Sequence, residues 1–142
     1  MLWRGIIFVG DMPVFFSSLS ELMDVSVYDW YVDDIELNYF DFRSGKFSGA
    51  EFNNALNDFS RLSFVRLRRY PIDSVIKQID TYDDFLESEC DFLVLLYDGG
   101  LFEIYSKEEN LIYKICEWCS VKCFDHIKYV DNDNDQRSYM HF

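Results

Sequence analysis

Residues 91–105 read D-F-L-V-L-L-Y-D-G-G-L-F-E-I-Y, and this stretch decides the class of fold. Asp91 to Tyr97 is almost continuously apolar, which is typical of a central strand that is buried on both faces. The next three residues, 98–100, favour a tight turn because glycine accepts the positive φ that hairpin turns need. Leu101 to Tyr105 then returns as a second strand. The stretch predicts a hairpin inside a sheet.

Strand patterns continue on both sides of this hairpin. Trp3 to Val9, Leu62 to Tyr70 and Phe124 to Val130 each have strand length and composition, and Val75 to Ile79 predicts a short strand. Pro71 favours an end to the strand before it. Helix-period apolar residues separate several of these segments, so the order of elements is not a strict alternation of strand and helix.

A second hairpin is predicted from the alternation that begins at Val25. Val25 to Val32 alternates with period two, residues 33–34 favour a tight turn, and Ile35 to Tyr39 resembles a returning strand. The residues that follow, 43–46, favour a loop.

Capping patterns mark the helices. Ser48 precedes Glu51 by three residues, and Thr81 stands in the same relation to Asp84, so each pair predicts a capping box. Asp11 predicts a further N-cap, and residues 107–120 carry an apolar stripe with helical spacing. We expect an α+β fold with a mostly antiparallel or mixed sheet and about four helices, in one domain over residues 1–130, followed by a polar tail over 131–142.

Composition combines strong acidity with a large apolar content. The 142 residues carry a formal net charge of -13, yet 49% are hydrophobic and 19% aromatic. Such a chain can bury a core, so we expect a compact body with a negative exterior. This field repels phosphates, which disfavours direct binding of nucleic acid, and it complements basic proteins. No apolar run approaches the length of a membrane span, and no signal peptide precedes the first strand, so we expect no membrane contact and a cytoplasmic location.

Metal and cofactor motifs are incomplete. Cys116, Cys119, Cys123 and His126 have zinc-type spacing, but the first two fall on the apolar stripe of a predicted helix, which favours core packing of reduced thiols. Asp131, Asp133 and Asp135 resemble the start of a calcium loop. That loop needs glycine at its sixth position and glutamate at its twelfth, where this chain has glutamine and phenylalanine. We predict no metal and no cofactor.

Catalytic motifs are absent as well. The sequence has no G-x-S-x-G, no phosphate-binding loop and no G-x-G-x-x-G. A pair such as Cys123 and His126 has no assured hydrogen bond at the predicted junction between helix and strand. We predict no catalytic residues and expect a binding protein rather than an enzyme.

Two acidic stretches are the candidate binding surfaces. In the first, carboxylates alternate with Trp30 and Tyr31; in the second, they surround the predicted capping box at Thr81. Acidic side chains would steer a basic partner and exposed aromatic ones would anchor it, unless the aromatic residues belong to the core and the acids only form a solvated surface. The predicted partner-binding residues are Asp29, Tyr31, Asp33, Asp34, Glu36, Asp41, Asp83, Asp84 and Glu87.

Positive charge is concentrated in one segment. Residues 43–69 hold six basic and two acidic side chains, which leaves about -17 on the rest of the chain. Within this basic island Arg66 and Arg68 share one face of a predicted strand. They predict either an anion site or ion pairs with surrounding acids, and we favour the ion pairs.

Short pieces of the chain resemble a family of small bacterial proteins of unknown function. These pieces are residues 3–6, 29–31, 81–85 and 103–105. That resemblance implies no catalytic residues. The size, acidity and α+β composition are also similar to those of immunity proteins, which neutralise a bacterial toxin by direct binding.

Besides a structural role inside a larger assembly, three functions therefore remain open. The first is an immunity-type inhibitor that occludes the basic surface of a partner protein, such as a bacterial toxin. The second is a phage anti-defence or DNA-mimicking inhibitor, which needs carboxylates spaced like phosphates. The third is a small-molecule-binding protein or enzyme that uses the face of Arg66 and Arg68. A pocket containing the arginines would favour the third function, whereas a flat acidic face with exposed anchors would favour protein binding.

Overall fold

The computed structural model describes residues 3–37, 44–59, 62–97, 100–132, 134–135 and 139–140, with the side chains of residues 34–37, 57, 59 and 62–63 left aside. The strands are β1 (Gly5–Val9), β2 (Tyr28–Leu37), β3 (Gly45–Phe47), β4 (Leu62–Pro71), β5 (Phe92–Tyr97), β6 (Leu101–Ser106) and β7 (Asp125–Val130). The helices are α1 (Met12–Ser18), α2 (Gly49–Phe59), α3 (Tyr82–Glu87) and α4 (Glu109–Val121). Two single 3₁₀ turns, Leu19–Glu21 and Val25–Val27, precede β2.

All seven strands join one sheet in the order β3-β2-β4-β5-β6-β1-β7, and every neighbouring pair is antiparallel. The hairpin predicted over residues 91–105 forms β5 and β6, with Tyr97 opposite Leu101. The predicted α+β fold, with four helices on an antiparallel sheet in one domain, is confirmed. None of the helices within the described residues is long and apolar enough to cross a bilayer.

One face of the sheet carries the larger core. A row of residues opposite one another runs across five strands and is fully buried: Val32, Leu67, Val94, Ile104 and Ile6. Helices α1, α2 and α4 contribute apolar side chains to the same cluster, among them Phe15, Phe52 and Ile115. β5 is buried on both faces, since Phe92, Val94 and Leu96 belong to this cluster and Leu93 and Leu95 to a second one, which explains why it has no polar residue between Phe92 and Leu96.

The opposite face is apolar in the middle and charged towards both edges. One row across six strands consists of Asp33, Arg66, Leu95, Glu103, Ile7 and Lys128. A smaller core covers the middle of this face, where Ile79, Phe85 and Met140 are fully buried. Met140 belongs to the segment predicted as a polar tail. Two charged regions therefore flank a central apolar patch on one face of the sheet.

Local capping follows the sequence patterns. The Ser48 hydroxyl accepts the amide of Glu51, and the Glu51 carboxylate accepts the amide of Ser48. Thr81 and Asp84 form the same reciprocal pair at the start of α3. Asp11 caps α1 by accepting the amide of Val14. All three predicted caps are confirmed.

The hairpin predicted for residues 25–39 is wrong. Tyr28 to Leu37 forms one continuous strand with a bulge between Asp33 and Glu36, and the residues before it form a 3₁₀ turn. The strand does not turn at Asp33 because that residue lies opposite Arg66 and binds it. Part of the predicted loop at 43–46 is also a strand, since Gly45 and Lys46 belong to β3.

The short strand predicted at Val75 to Ile79 is wrong as well, because the segment has no regular structure. The carbonyl groups of Lys77 and Ile79 accept hydrogen bonds from Arg68 and Arg66. These backbone acceptors are therefore satisfied by arginine side chains instead of by a neighbouring strand.

Candidate functional site

The candidate site is built on the facing residues of β2 and β4. Asp33 lies opposite Arg66, and Tyr31 lies opposite Arg68, so alternate residues of both strands project to the same side. Asp33 accepts two hydrogen bonds from Arg66, from Nε at 2.8 Å and from Nη2 at 2.6 Å. This fork-to-fork geometry is the strongest form of ion pair between these groups.

The remaining nitrogen of Arg66 ties the strand to two other segments. Its Nη1 donates to the carbonyl oxygens of Ile79 at 2.7 Å and Met140 at 2.9 Å. The amide of Met140 donates in turn to the carbonyl of Asp80 at 2.8 Å. Arg66 therefore holds together β2, the segment before α3 and the end of the chain.

Arg68 lies beside this network and is bound less completely. Nη1 donates to the Tyr70 hydroxyl at 2.9 Å and to the Lys77 carbonyl at 3.0 Å, whereas Nη2 reaches Asp33 only at 3.3 Å. Nε is buried without a hydrogen-bond partner among the described residues. The Tyr31 ring lies 4.5 Å from the guanidinium carbon, which is a cation–π contact.

These residues border an open cleft of about 460 Å³, which we call the arginine cleft. Its lining is largely polar and consists of Tyr31, Asp33, Arg66, Arg68, Ile76, Lys77, Gln78 and Asp80. The volume falls in the range of small-molecule sites. The ion pairs that the sequence favoured for the two arginines are present, and they lie inside a pocket.

Asp29, in the described part of the first acidic stretch, is also bound within the protein. The buried Asp29 lies 3.4 Å from the Lys46 ammonium and accepts the amide of Asp73 at 3.1 Å. Trp30 belongs to the core. The side chains of Asp34 and Glu36, and the whole of Asp41, lie outside what the structure describes. The described part of this stretch is therefore bound internally.

The second acidic stretch differs from the first, because some of its carboxylates are exposed to solvent. Asp84 is held by the amides of Asp80 and Thr81, which lowers the pKa of its carboxyl group. Asp83 and Glu87 are exposed on the outer side of α3, together with Leu86, which is 49% exposed. Their spacing of three and four residues places all three on one helix face.

A neighbouring segment extends this exposed surface. The Glu89 carboxylate accepts the backbone amide of Val75, whose side chain is 62% exposed. Ile72, three residues earlier, is also largely exposed. We call this surface the α3 face, and it comprises Val75, Asp83, Leu86, Glu87 and Glu89.

A second cavity, of about 270 Å³, lies at the other edge of the same sheet face, and Glu103 lines it with Lys128 and Asn134. Burial, followed by the nearby charge of Asp135, raises the pKa of Glu103 to about 7. Asp135 is itself held by Arg4 at 3.3 Å and by the Tyr105 hydroxyl at 3.4 Å. This cavity therefore contains a carboxyl group that titrates near neutral pH.

Comparison with known proteins identifies a family but no activity. A family profile described as "Protein of unknown function (DUF2691)" matches residues 11–141. The chain belongs to this family. It is also 29% identical over 77 residues to the uncharacterized protein YncE of Bacillus subtilis (strain 168), an alignment that covers 54% of this chain and 50% of the relative. The chain thus spans about half the length of the curated relative it matches. No solved structure matches the chain.

The predicted resemblance to a bacterial family of unknown function is confirmed by DUF2691 membership. Six of the nine predicted site residues can be placed in this DUF2691 member. Asp29, Tyr31, Asp33 and Asp84 are bound internally, whereas Asp83 and Glu87 are exposed. The other three, Asp34, Glu36 and Asp41, lie outside the described side chains.

The metal-like motifs are dispersed in the DUF2691 fold. Cys119 is buried on α4, which raises the pKa of its thiol to about 12, while Cys123 and His126 are exposed. Asp131 accepts the amide of Asn134 in a turn, and Asp133 lies outside the described residues. Within the part of the chain that is described, no group of three suitable side chains surrounds a space for a metal.

Some residues of both cavities were missed at the level of sequence. Lys77 and Gln78 line the arginine cleft, although they lie in a segment that was predicted as a strand. One signal was available: Tyr31 and Asp33 have the same two-residue spacing as Arg68 and Arg66, as expected for facing antiparallel strands. No comparable signal links Glu103 to Asp135.

Substitution of Glu103 by glutamine is expected to stabilise this DUF2691 protein at neutral and alkaline pH. The folded state raises the carboxyl pKa from 4.5 to about 7. Between these values the folded state binds more protons than the unfolded state, so stability falls as the pH rises. The shift corresponds to at most about 3 kcal/mol. Because the group is partly exposed, solvent screening reduces the expected gain at pH 8 to about 1–2 kcal/mol.

The measurement is urea unfolding of wild type and Glu103→Gln at pH 4.5 and pH 8. The difference between the two proteins should be small at the lower pH and should reach its full size at the higher pH. Glu117→Gln removes an exposed carboxylate from α4 and serves as the control. An equal effect of both substitutions at pH 8 would contradict the assignment to Glu103.

Proposed function

We propose that this protein is an inhibitor that binds a basic protein through the α3 face, and that it acts as an immunity-type antagonist of a bacterial toxin. The observation that carries the proposal is the exposure of Leu86 between Asp83 and Glu87 on one side of a short helix. An apolar side chain that is surrounded by acids and turned to solvent can anchor a partner that the acids attract.

The remaining acids support the choice of this surface over the first acidic stretch. Asp29 and Asp33 are neutralised by Lys46, Arg66 and Arg68, so they contribute little field outside the protein. Asp83 and Glu87 have no ion pair with a basic side chain among the described residues. The net charge of -13 adds long-range attraction for a basic partner.

The proposed mechanism is occlusion. The acidic side chains of the α3 face accelerate encounter with a basic, substrate-binding surface, and Leu86 and Val75 become buried when the complex forms. A nuclease toxin has such a surface because its cleft binds phosphate groups. The inhibitor would then block substrate access without any reaction of its own.

A charge-reversal pair tests the proposal. The chain is used to capture a partner, the partner is identified, and its dissociation constant is measured for wild type and for the double variant Asp83→Lys/Glu87→Lys. Loss of the acidic face should weaken binding at least tenfold at low salt and reduce the dependence of affinity on salt. The control, Glu117→Lys/Asp125→Lys, changes the net charge equally at exposed positions on α4 and β7.

Binding energy from the apolar part is tested separately with Leu86→Ala, which should weaken the complex without changing its salt dependence. Circular dichroism checks that each variant keeps the fold. The proposal is wrong if the control pair weakens binding as much as the α3 pair does, or if binding of the captured protein is indifferent to both salt and Leu86.

A further inference from the structure

Arg66 and Arg68 occupy neighbouring positions on one face of β4 but differ in how their guanidinium groups are used. Nε and Nη2 lie on the same edge of a guanidinium group and form the fork that grips a carboxylate or phosphate. On Arg66 this edge is filled by Asp33 at 2.8 and 2.6 Å. Both donors on this edge of Arg66 are therefore used within the protein.

The same edge of Arg68 is almost unused. Nη2 has one long contact with Asp33, at 3.3 Å, and Nε has no hydrogen-bond partner among the described residues. The Arg68 side chain is only 3% exposed. A buried donor without an acceptor costs about 1–3 kcal/mol unless something else binds it. The site thus maintains a desolvated cationic fork beside an open cleft.

The charges around the fork favour an incoming anion. The cleft is lined by three cations, Arg66, Arg68 and Lys77, and by two carboxylates, Asp33 and Asp80. One positive charge is therefore left over locally in a protein that is otherwise strongly acidic. The Lys77 side chain is exposed, and its ammonium group has no ion pair within the described part of the chain.

We propose that the arginine cleft binds a small molecule through its carboxylate or phosphate group, with the Nε–Nη2 edge of Arg68 as the fork and Lys77 as a second cation. The oxyanion accepts hydrogen bonds from Nε and Nη2 of Arg68, while Asp33 keeps both of its bonds to Arg66. The volume of about 460 Å³ accommodates the rest of a small polar molecule, with Tyr31 and Gln78 along its walls. This site is separate from the α3 face and does not depend on the function proposed for it.

The first test uses inorganic phosphate and malonate as probes on the intact protein. Nuclear magnetic resonance follows the Nε–H signal of Arg68, assigned through its own side-chain correlations, during titration with each anion and with sodium chloride at matched ionic strength. We expect a saturable shift with at least one of the two probes and none with chloride. The probe that produces the shift distinguishes phosphate from carboxylate ligands.

A matched pair of lysine variants tests the second cation. Lys77→Gln should weaken binding of the probe about three- to fivefold. Lys128→Gln removes an exposed ammonium group from β7, outside the cleft, and should leave the affinity unchanged. Arg68→Lys keeps the positive charge but loses the fork, so saturable binding of the probe, measured for this variant and for wild type by isothermal titration calorimetry, should be abolished while circular dichroism shows the fold retained.

Two results would overturn the proposal. One is the absence of a saturable Arg68 shift with both phosphate and malonate. The other is an equal loss of affinity in Lys77→Gln and Lys128→Gln, which would show attraction to positive charge in general. Neither result bears on binding at the α3 face, because the substitutions there lie outside the cleft.

Discussion

Substitution of Asp33 by alanine is expected to destabilise the protein by about 2–4 kcal/mol. Asp33 is the counter-ion of two arginines whose side chains are 6% and 3% exposed, and it binds both through Oδ2. Its removal deprives both buried guanidinium groups of this carboxylate. Asp33 is itself partly exposed, so water replaces some of what is lost and the cost stays below that of a fully buried pair.

Urea unfolding at pH 7, followed by circular dichroism, measures this effect. Asp83→Ala is the matched control, because it removes an exposed carboxylate that has no ion pair among the described residues, and it should change stability by less than about 0.5 kcal/mol. Asp33→Asn keeps the shape and removes only the charge, so it separates electrostatic loss from packing. If Asp33→Ala changed the free energy of unfolding by less than about 0.5 kcal/mol, the ion pairs of Asp33 with the two arginines would not stabilise the fold.

Local sequence patterns predicted the local parts of this fold. The three caps, at Asp11, Ser48 and Thr81, depend on residues within three positions of one another, so the sequence contains all of the necessary information. The hairpin over residues 91–105 is similar, because its turn joins adjacent strands. In both cases tertiary contacts reinforce the local preference.

The candidate site could not be predicted in the same way, because its contacts are distant in sequence. Arg66 binds Asp33 across 33 residues and the Met140 carbonyl across 74. The first contact favours an extended β2 at a pair of aspartates that would otherwise favour a turn. In residues 75–79, arginine side chains bind backbone carbonyl groups that a neighbouring strand would otherwise bind. The two wrong strand predictions thus share a physical cause.

The basic island identified in the sequence has a related explanation. Arg66, Arg68 and Arg69 are all buried, and their ion-pair partners, including Asp33 and Asp91, come from elements on both sides of β4 in the sheet. Positive charge is concentrated on β4 because this strand lies between acidic segments. These internal ion pairs therefore explain part of the segregation of charge along the chain.

Substitution of Trp30 by alanine is expected to cost about 3–5 kcal/mol of stability. The sequence left open whether this residue anchors a partner or belongs to the core. In the structure Trp30 is fully buried, stacks on Phe52 at 4.2 Å and donates its indole N–H to the Val25 carbonyl at 3.0 Å. Alanine would leave a cavity between β2 and α2 and an unsatisfied carbonyl group. The free energy of unfolding of a domain of this size is about 5–15 kcal/mol, so the variant should be marginally stable.

The variant Trp30→Phe separates the contribution of packing from that of the hydrogen bond, because it retains an aromatic ring against Phe52 but loses the hydrogen bond to Val25. We expect it to lower the free energy of unfolding by about 1–3 kcal/mol. Tyr113→Ala, at a residue 42% exposed on α4, is the aromatic control and should cost less than about 1 kcal/mol. Circular dichroism is the appropriate probe, since the substitution removes a fluorophore. If Trp30→Phe kept full stability and lost affinity for a captured partner, Trp30 would be a binding residue and the first acidic stretch would return as the interface. If stability fell and affinity per folded molecule stayed constant, Trp30 would belong to the core and would not be an anchor for a partner.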